Sequence, residues 1–211
     1  MARISTYSFE EYVRLVEPFH GAVAPGVVVG GFMVDLAMSR MPEGTVFDAI
    51  CETTACLPDA VQLLTTCTIG NGWLKVFNLG RFALSLYDKY EGQGIRVFID
   101  PPKLEPWPEI KAWLFKLKPK FEQDEELLIS QIERAGHSIC GMQPVRIQAQ
   151  YLKKKSRGSI TTCPLCHEPY PAKDGVICLA CQGKSPYTDF FPSHKNQDAQ
   201  LFQITTAASV V

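Results

Sequence analysis

Four of the eight cysteines fall in two CxxC pairs, Cys163-Pro-Leu-Cys166 and Cys178-Leu-Ala-Cys181, separated by eleven residues. Each pair puts two sulfurs on one tight turn, and two such turns facing one another make a tetrahedral thiolate site for zinc. Four sulfurs leave no open position, so the expected role is structural, with one Zn2+ per chain. His167, beside Cys166, is a substitute donor in type only, since a neighbouring position points the wrong way. Two disulfides or four unrelated thiols are the competing readings, and the paired spacing argues for metal. Tyr170-Pro171 and Asp174-Gly175 punctuate the intervening loop. A module this small has no core of its own and depends on the metal, whose binding supplies about 10–16 kcal/mol in zinc-finger peptides.

The second reactive stretch is Glu52–Leu74, ETTACLPDAVQLLTTCTIGNGWL. Cys56 stands just before a helix start marked by Pro58, where the positive end of the helix dipole is expected to lower the thiol pKa. Asp59 lies in the first turn and Gln62 one turn later. Cys67 follows the helix and leads through Thr68 into a loop whose Gly70 and Gly72 permit close backbone approach to a ligand. Plainer readings stand beside these. Asp59 compensates a helix dipole, the cysteines are small core residues, and the glycines form a turn.

A third stretch, FHGAVAPG from Phe19 to Gly26, sets a lone histidine between a helical run and a glycine. Ala22 and Ala24 follow where a reactive loop would carry ligands. His20 can serve as a base for Cys56, with Asp59 assisting, or can be a helix-end histidine satisfied by carbonyls.

The elements that must position these groups are legible. Ser8 and Glu11 form a capping box, with Tyr7 and Tyr12 as the staple, opening a helix with one apolar face from Phe9 to Phe19. Pro25 suits the first turn of a second helix, reaching about Arg40. Its Gly26, Gly30 and Gly31 cost roughly 1 kcal/mol each relative to alanine, which implies close packing inside a core or across a dimer. Thr45–Thr53 reads as a strand and Asp59–Thr66 as a short helix. Trp73–Asn78 and Phe82–Tyr87 read as a hairpin around Leu79-Gly80, and Gly94–Asp100 as a further strand. Helices are predicted over Pro108–Leu117 and Phe121–Ala135, and a last strand over Pro144–Leu152. This order predicts an α+β core of helices on a mainly antiparallel sheet, with a small treble-clef or zinc-ribbon-like module at the C-terminus. The expected boundaries are a core over 1–152, a basic hinge over 153–159, a zinc finger over 160–192 and a tail over 193–211.

Residues 1–151 hold 14 Lys/Arg against 18 Asp/Glu, and residues 152–211 hold 7 against 4. The asymmetry is too weak to argue for nucleic acid, and the run Lys153–Lys155 with Arg157 offers no base-reading helix. Met1–Ser8 lacks an apolar signal region, and the uncharged run Gly21–Val34 is too short to span a bilayer. A cytoplasmic protein without a membrane segment is expected.

Three blocks together, FHGAVAPG with the glycine-bearing helix, ETTACLPDAVQLLTTCTIGNG, and WLKVFNLGRFALSLYD with GIRVFID, cover about residues 9–100. In combination they resemble the FmdE-like family, named for a component of formylmethanofuran dehydrogenase, several members of which also end in a four-cysteine zinc module. The resemblance implies a dimerising α+β core and an auxiliary treble-clef finger. It also implies association with molybdenum or tungsten enzymes that reduce carbon dioxide to the formyl level, and a cleft of motif residues serving as a metal or active site for an unidentified small ligand. The matching positions are His20, Cys56, Asp59, Gln62, Cys67, Thr68, Gly70 and Gly72. The family usually reads FHGHxCPG, so Ala22 and Ala24 stand where a histidine and a cysteine are expected. Thr66, Asn71 and Arg81 are further departures. A second metal in the core would therefore lack two of its donors. The resemblance leaves two roles for the core, an accessory ligand site or an independent cysteine-dependent catalyst. A third role is a zinc-finger adaptor whose core has degenerated.

Overall fold

The computed structural model describes residues 2–152, 156 and 158–188, in two compact units, residues 1–153 and 154–211. Most of the basic run and the tail expected beyond residue 192 lie outside the described residues.

The first unit opens with a two-stranded turn, β1 (Arg3–Ile4) against β2 (Tyr7–Ser8). Helix α1 (Phe9–His20) follows at once because Ser8 caps it reciprocally. The Ser8 hydroxyl accepts from Glu11 N–H at 3.2 Å, and the Glu11 carboxylate accepts from Ser8 N–H at 2.7 Å. It ends at Gly21, whose φ of 89° lets Gly21 N–H close back on the Glu17 carbonyl. Phe9, Tyr12 and Val16 form its buried stripe.

Helix α2 (Pro25–Met38) runs through the middle of the core and is buried on nearly every side, as a helix without a polar face must be. Its glycines serve packing within the chain. A Cβ at Gly30 would lie 2.7 Å from Ala60 Cβ, and one at Gly31 would lie 2.5 Å from the Tyr12 ring. Two neighbouring helices thus press against α2 from different sides, α1 and α3 (Leu57–Leu64).

The sheet contains β3 (Phe47–Cys51), β4 (Leu74–Val76), β5 (Ala83–Asp88), β6 (Gln93–Ile99) and β7 (Cys140–Arg146), in the spatial order β4-β3-β5-β6-β7. The β3–β4 pair is parallel and the rest are antiparallel. The expected hairpin across Leu79-Gly80 does not form. The intervening loop instead wraps the end of β3, with Phe77 N–H bonded to the Cys51 carbonyl and Leu79 N–H to that of Glu52. β4 and β5 therefore take opposite edges of β3. The last strand begins at Cys140 rather than Pro144, and the segment expected to continue it turns into a short helix, α6 (Ala149–Leu152). Pro144 is tolerated because β7 is an edge strand.

One sheet face, with Ala49, Cys51, Leu84, Leu86 and Val97, joins the core beneath α2. The opposite face carries Asp48, Ile50, Ser85, Tyr87 and Arg96 in cross-strand register. Helices α4 (Pro108–Leu114) and α5 (Glu125–Ala135) complete the layer, α5 being capped by Asp124 on Leu127 N–H. Among the described residues no helix is long and apolar enough to cross a membrane.

Among its described residues the second unit has one small hairpin, β8 (Ile160–Thr162) against β9 (Pro169–Pro171), followed by a helical turn over Ala180–Lys184.

Candidate functional site

In the second unit the turn after β8 carries Cys163 and Cys166, and the loop entering the last helical turn carries Cys178 and Cys181. Their four sulfurs lie within 4.8 Å of one another, Cys166 and Cys178 being 3.6 Å apart, and none is in a disulfide. His167 adopts φ 61°, where it helps close the knuckle by donating N–H to the Cys163 carbonyl, and is not one of the convergent donors. Burial works against a thiolate at Cys163, but N–H groups of Cys166, Cys178 and Leu165 bring its pKa down to about 6. Burial and the neighbouring sulfurs push Cys181 up to about 12. Four thiolates at this spacing need a dication among them, and the donor set fits tetrahedral zinc.

In the first unit, α1 ends on His20, and the link from β3 to α3 delivers Cys56 and Asp59 beside it. His20 Nδ1 lies 2.6 Å from Asp59 Oδ2, and His20 Nε2 lies 3.9 Å from Cys56 Sγ. With a carboxylate at Nδ1, that nitrogen carries the proton and donates it to Asp59, leaving Nε2 as the acceptor facing the thiol. Gln62 Nε2 donates to Asp59 Oδ1 at 3.3 Å, and Gln62 Oε1 accepts from Ile69 N–H at 3.3 Å. One side chain thus steadies the carboxylate and ties α3 to the loop beyond it.

Cys56 caps α3 with φ 55° and ψ −50°, at the centre of a γ-turn closed by Leu57 N–H on the Ala55 carbonyl. This region is strained for a residue with a side chain. It tips the thiol toward α2, where Gly26 makes room. A Cβ on Gly26 would lie 2.9 Å from Cys56 Sγ and 3.6 Å from the Trp113 ring. Trp113 in turn stands edge-on to Phe82, with ring centroids 6.2 Å apart.

The expectation of a lowered Cys56 pKa is overturned. Burial raises it, and the Asp59 charge raises it further. Helix α3 has only eight residues and its first turn already holds an anion, so its dipole does not dominate.

The other expected residues are placed differently. Cys67 is fully buried in the core, its thiol directed at the Phe47 carbonyl. Thr68 and Asn71 bond to each other across a tight turn, in which Gly72 takes φ 74° and has open space beside it. Among the described residues the four cysteines are the only group of three or more convergent metal donors. The core offers His20 Nε2 and Cys56 Sγ, with Asp59 committed to Nδ1 and alanines at 22 and 24. That set does not fit a resident metal. Burial pushes Cys51 and Cys140 up to about 12, which makes them inert core thiols. Sequence reasoning missed Trp113, whose only signal is its aromatic bulk on a short helix, and the contact of Gly26 with the Cys56 sulfur.

Residues 19–148 match the family model described as FmdE, molybdenum formylmethanofuran dehydrogenase operon, and residues 154–188 match the FmdE treble clef zinc finger. The chain superimposes with TM-score 0.84 on the crystal structure of a tungsten formylmethanofuran dehydrogenase FmdE-like protein from Syntrophus aciditrophicus. That protein is 55% identical, and the match covers 89% of this chain and 99% of that one. A probable S-adenosyl-L-methionine-binding protein from Archaeoglobus fulgidus is 28% identical over 78% of this chain and 50% of its own length. The chain therefore spans about half the length of that curated relative. The α+β core, its motif residues and the four-cysteine finger place this chain in the FmdE family, with one structural zinc held by Cys163, Cys166, Cys178 and Cys181.

Proposed function

We propose that this chain is an accessory protein of a molybdenum- or tungsten-dependent formylmethanofuran dehydrogenase system, whose core holds a small acyl ligand at Cys56. The family membership supports the partner enzyme, and a homodimer belongs to the same reading. The observation that carries the chemistry is His20, standing between the Cys56 thiol and the Asp59 carboxylate.

The residues act in a fixed order. Asp59 accepts from Nδ1–H and sets the imidazole tautomer. The half-buried thiol stays neutral until an electrophilic carbonyl carbon approaches. Its proton then passes to Nε2 as the sulfur–carbon bond forms and the carbonyl π pair moves to oxygen. On collapse the leaving group departs with the proton from Nε2. The balance is acyl–X plus thiol to thioester plus HX. No step uses a metal.

The strained turn at Cys56 favours a second reading, an independent acyl-transfer catalyst, since exposing a nucleophile on a tight strand-to-helix link is a recurrent device. One experiment separates them. The protein is mixed with excess p-nitrophenyl acetate, nitrophenolate is followed, and the adduct is mapped by mass spectrometry. A stoichiometric adduct on Cys56, absent from Cys56→Ser, supports a holding role, and a burst followed by steady turnover supports catalysis. Labelling spread evenly over several cysteines, or surviving Cys56→Ser, contradicts both.

A further inference from the structure

On the sheet face away from α2 lies a cavity of about 430 Å³ that the chemistry at Cys56 does not use. Its charged lining is Glu52 with three arginines, Arg81, Arg96 and Arg146. Glu52, nearly buried at the end of β3, accepts from Arg96 Nε at 2.6 Å and from Arg96 Nη2 at 2.9 Å. Arg81 Nε approaches the same carboxylate at 2.7 Å. Two guanidinium groups thus share one carboxylate, and Arg146 of β7, exposed at the same cavity, adds a further positive charge.

The two arginines on Glu52 differ in freedom. Arg96 is held by its fork on Glu52 and lies 5.1 Å from the centre of the Phe98 ring. Arg81 is 60% exposed, meets Glu52 through Nε and lines the cavity. The remaining wall is mainly apolar and aromatic, with Ser85 and Gln148 beside it. Phe77 and Tyr151 meet edge to face at 5.1 Å, flanked by Leu79 and Ile147. A surplus planar cation beside an aromatic wall matches a flat ring that carries an anionic group, with the volume of a small-molecule site.

We propose that this cavity binds a planar organic anion, its ring against Phe77 and Tyr151 and its carboxylate or phosphate on the outer nitrogens of Arg81. The site is separate in composition from the Cys56 centre and does not depend on the role proposed there.

The test is titration calorimetry of the full-length protein with two matched pairs, nicotinate against nicotinamide and AMP against adenosine. The anion of at least one pair is expected to bind about tenfold or more tightly than its neutral partner, the worth of one charge-assisted contact. Which pair responds separates carboxylate from phosphate. Arg81→Gln should abolish that preference, Arg81→Lys should keep it, and Cys56→Ser should leave affinity unchanged. Arg81 is exposed, so both variants are expected to fold, and far-ultraviolet circular dichroism checks this. Equal affinities within both pairs, no binding of any of the four at millimolar concentration, or a preference surviving Arg81→Gln would overturn the proposal.

Discussion

Replacing Asp59 by Asn separates two effects that the carboxylate exerts on Cys56. Asp59 raises the thiol pKa through its charge, so removing that charge makes the thiolate easier to form. The path from Cys56 Sγ across the imidazole to Asp59 Oδ2 spans contacts of 3.9 and 2.6 Å. That path puts the charge within about 9 Å of the sulfur, where unit charges at an effective dielectric of about 40–80 interact by about 0.5–1 kcal/mol. Alkylation by iodoacetamide at pH 7, which needs only the thiolate, should therefore accelerate about two- to fivefold in Asp59→Asn. Acylation by p-nitrophenyl acetate needs His20 with its proton on Nδ1, and an asparagine at 59 no longer enforces that tautomer. General-base assistance is worth about 10²–10⁴. The low end applies here, because His20 and Asp59 are partly solvated, their side chains 24% and 32% exposed. Acylation should thus fall about a hundredfold while alkylation rises. Stopped-flow traces of both reactions on one preparation give the comparison. Rates that move in the same direction, or an unchanged acylation rate, would refute the relay.

Glu52→Gln should destabilise the core by about 3 kcal/mol, the low end for breaking a buried pair, because Arg96 then loses its carboxylate. The exposed Arg81 adds little. The hydrogen bond from Arg96 outweighs burial and holds Glu52 below the usual carboxylate range. The stabilisation is therefore full above the unfolded-state value of about 4.3 and is lost as pH falls through the lower folded value. Urea midpoints of wild type and variant should accordingly converge in acid and separate near neutrality. For the finger, elemental analysis should find one zinc per chain, and Cys166→Ser should lower zinc retention after chelator challenge. The melting of the 1–153 unit should persist in that variant, and full zinc retention would contradict the thiolate site.

What the sequence disclosed follows the range of the forces involved. The capping box at Ser8 and Glu11, the glycine stop at Gly21 and the two CxxC turns are set by neighbours a few residues away. Spacing alone is enough to find them. The false hairpin at Leu79-Gly80 has the opposite origin, since the partner of both strands is β3, some 25 residues upstream of β4. Only the paired sheet shows that the loop bonds to the Cys51 and Glu52 carbonyls. The glycines of α2 signalled a close approach without naming Tyr12, Ala60 and Cys56 as the groups that approach. The Cys56 pKa was misread because a helix terminus is visible in sequence, whereas packing against Gly26 and Trp113 is tertiary. The cavity at Arg81 has no sequence signal, because it draws on β3, β5, β6, β7, α6 and the loop after β4.

The claim that His20 presents a bare Nε2 to Cys56 is tested most directly by nitrogen NMR of the imidazole, assigned by comparison with His20→Asn. At slightly alkaline pH the His20 signals should show a proton on Nδ1 and none on Nε2, and Asp59→Asn should disturb that pattern. A proton on Nε2 in the unmodified protein, with Nδ1 bare, would contradict it.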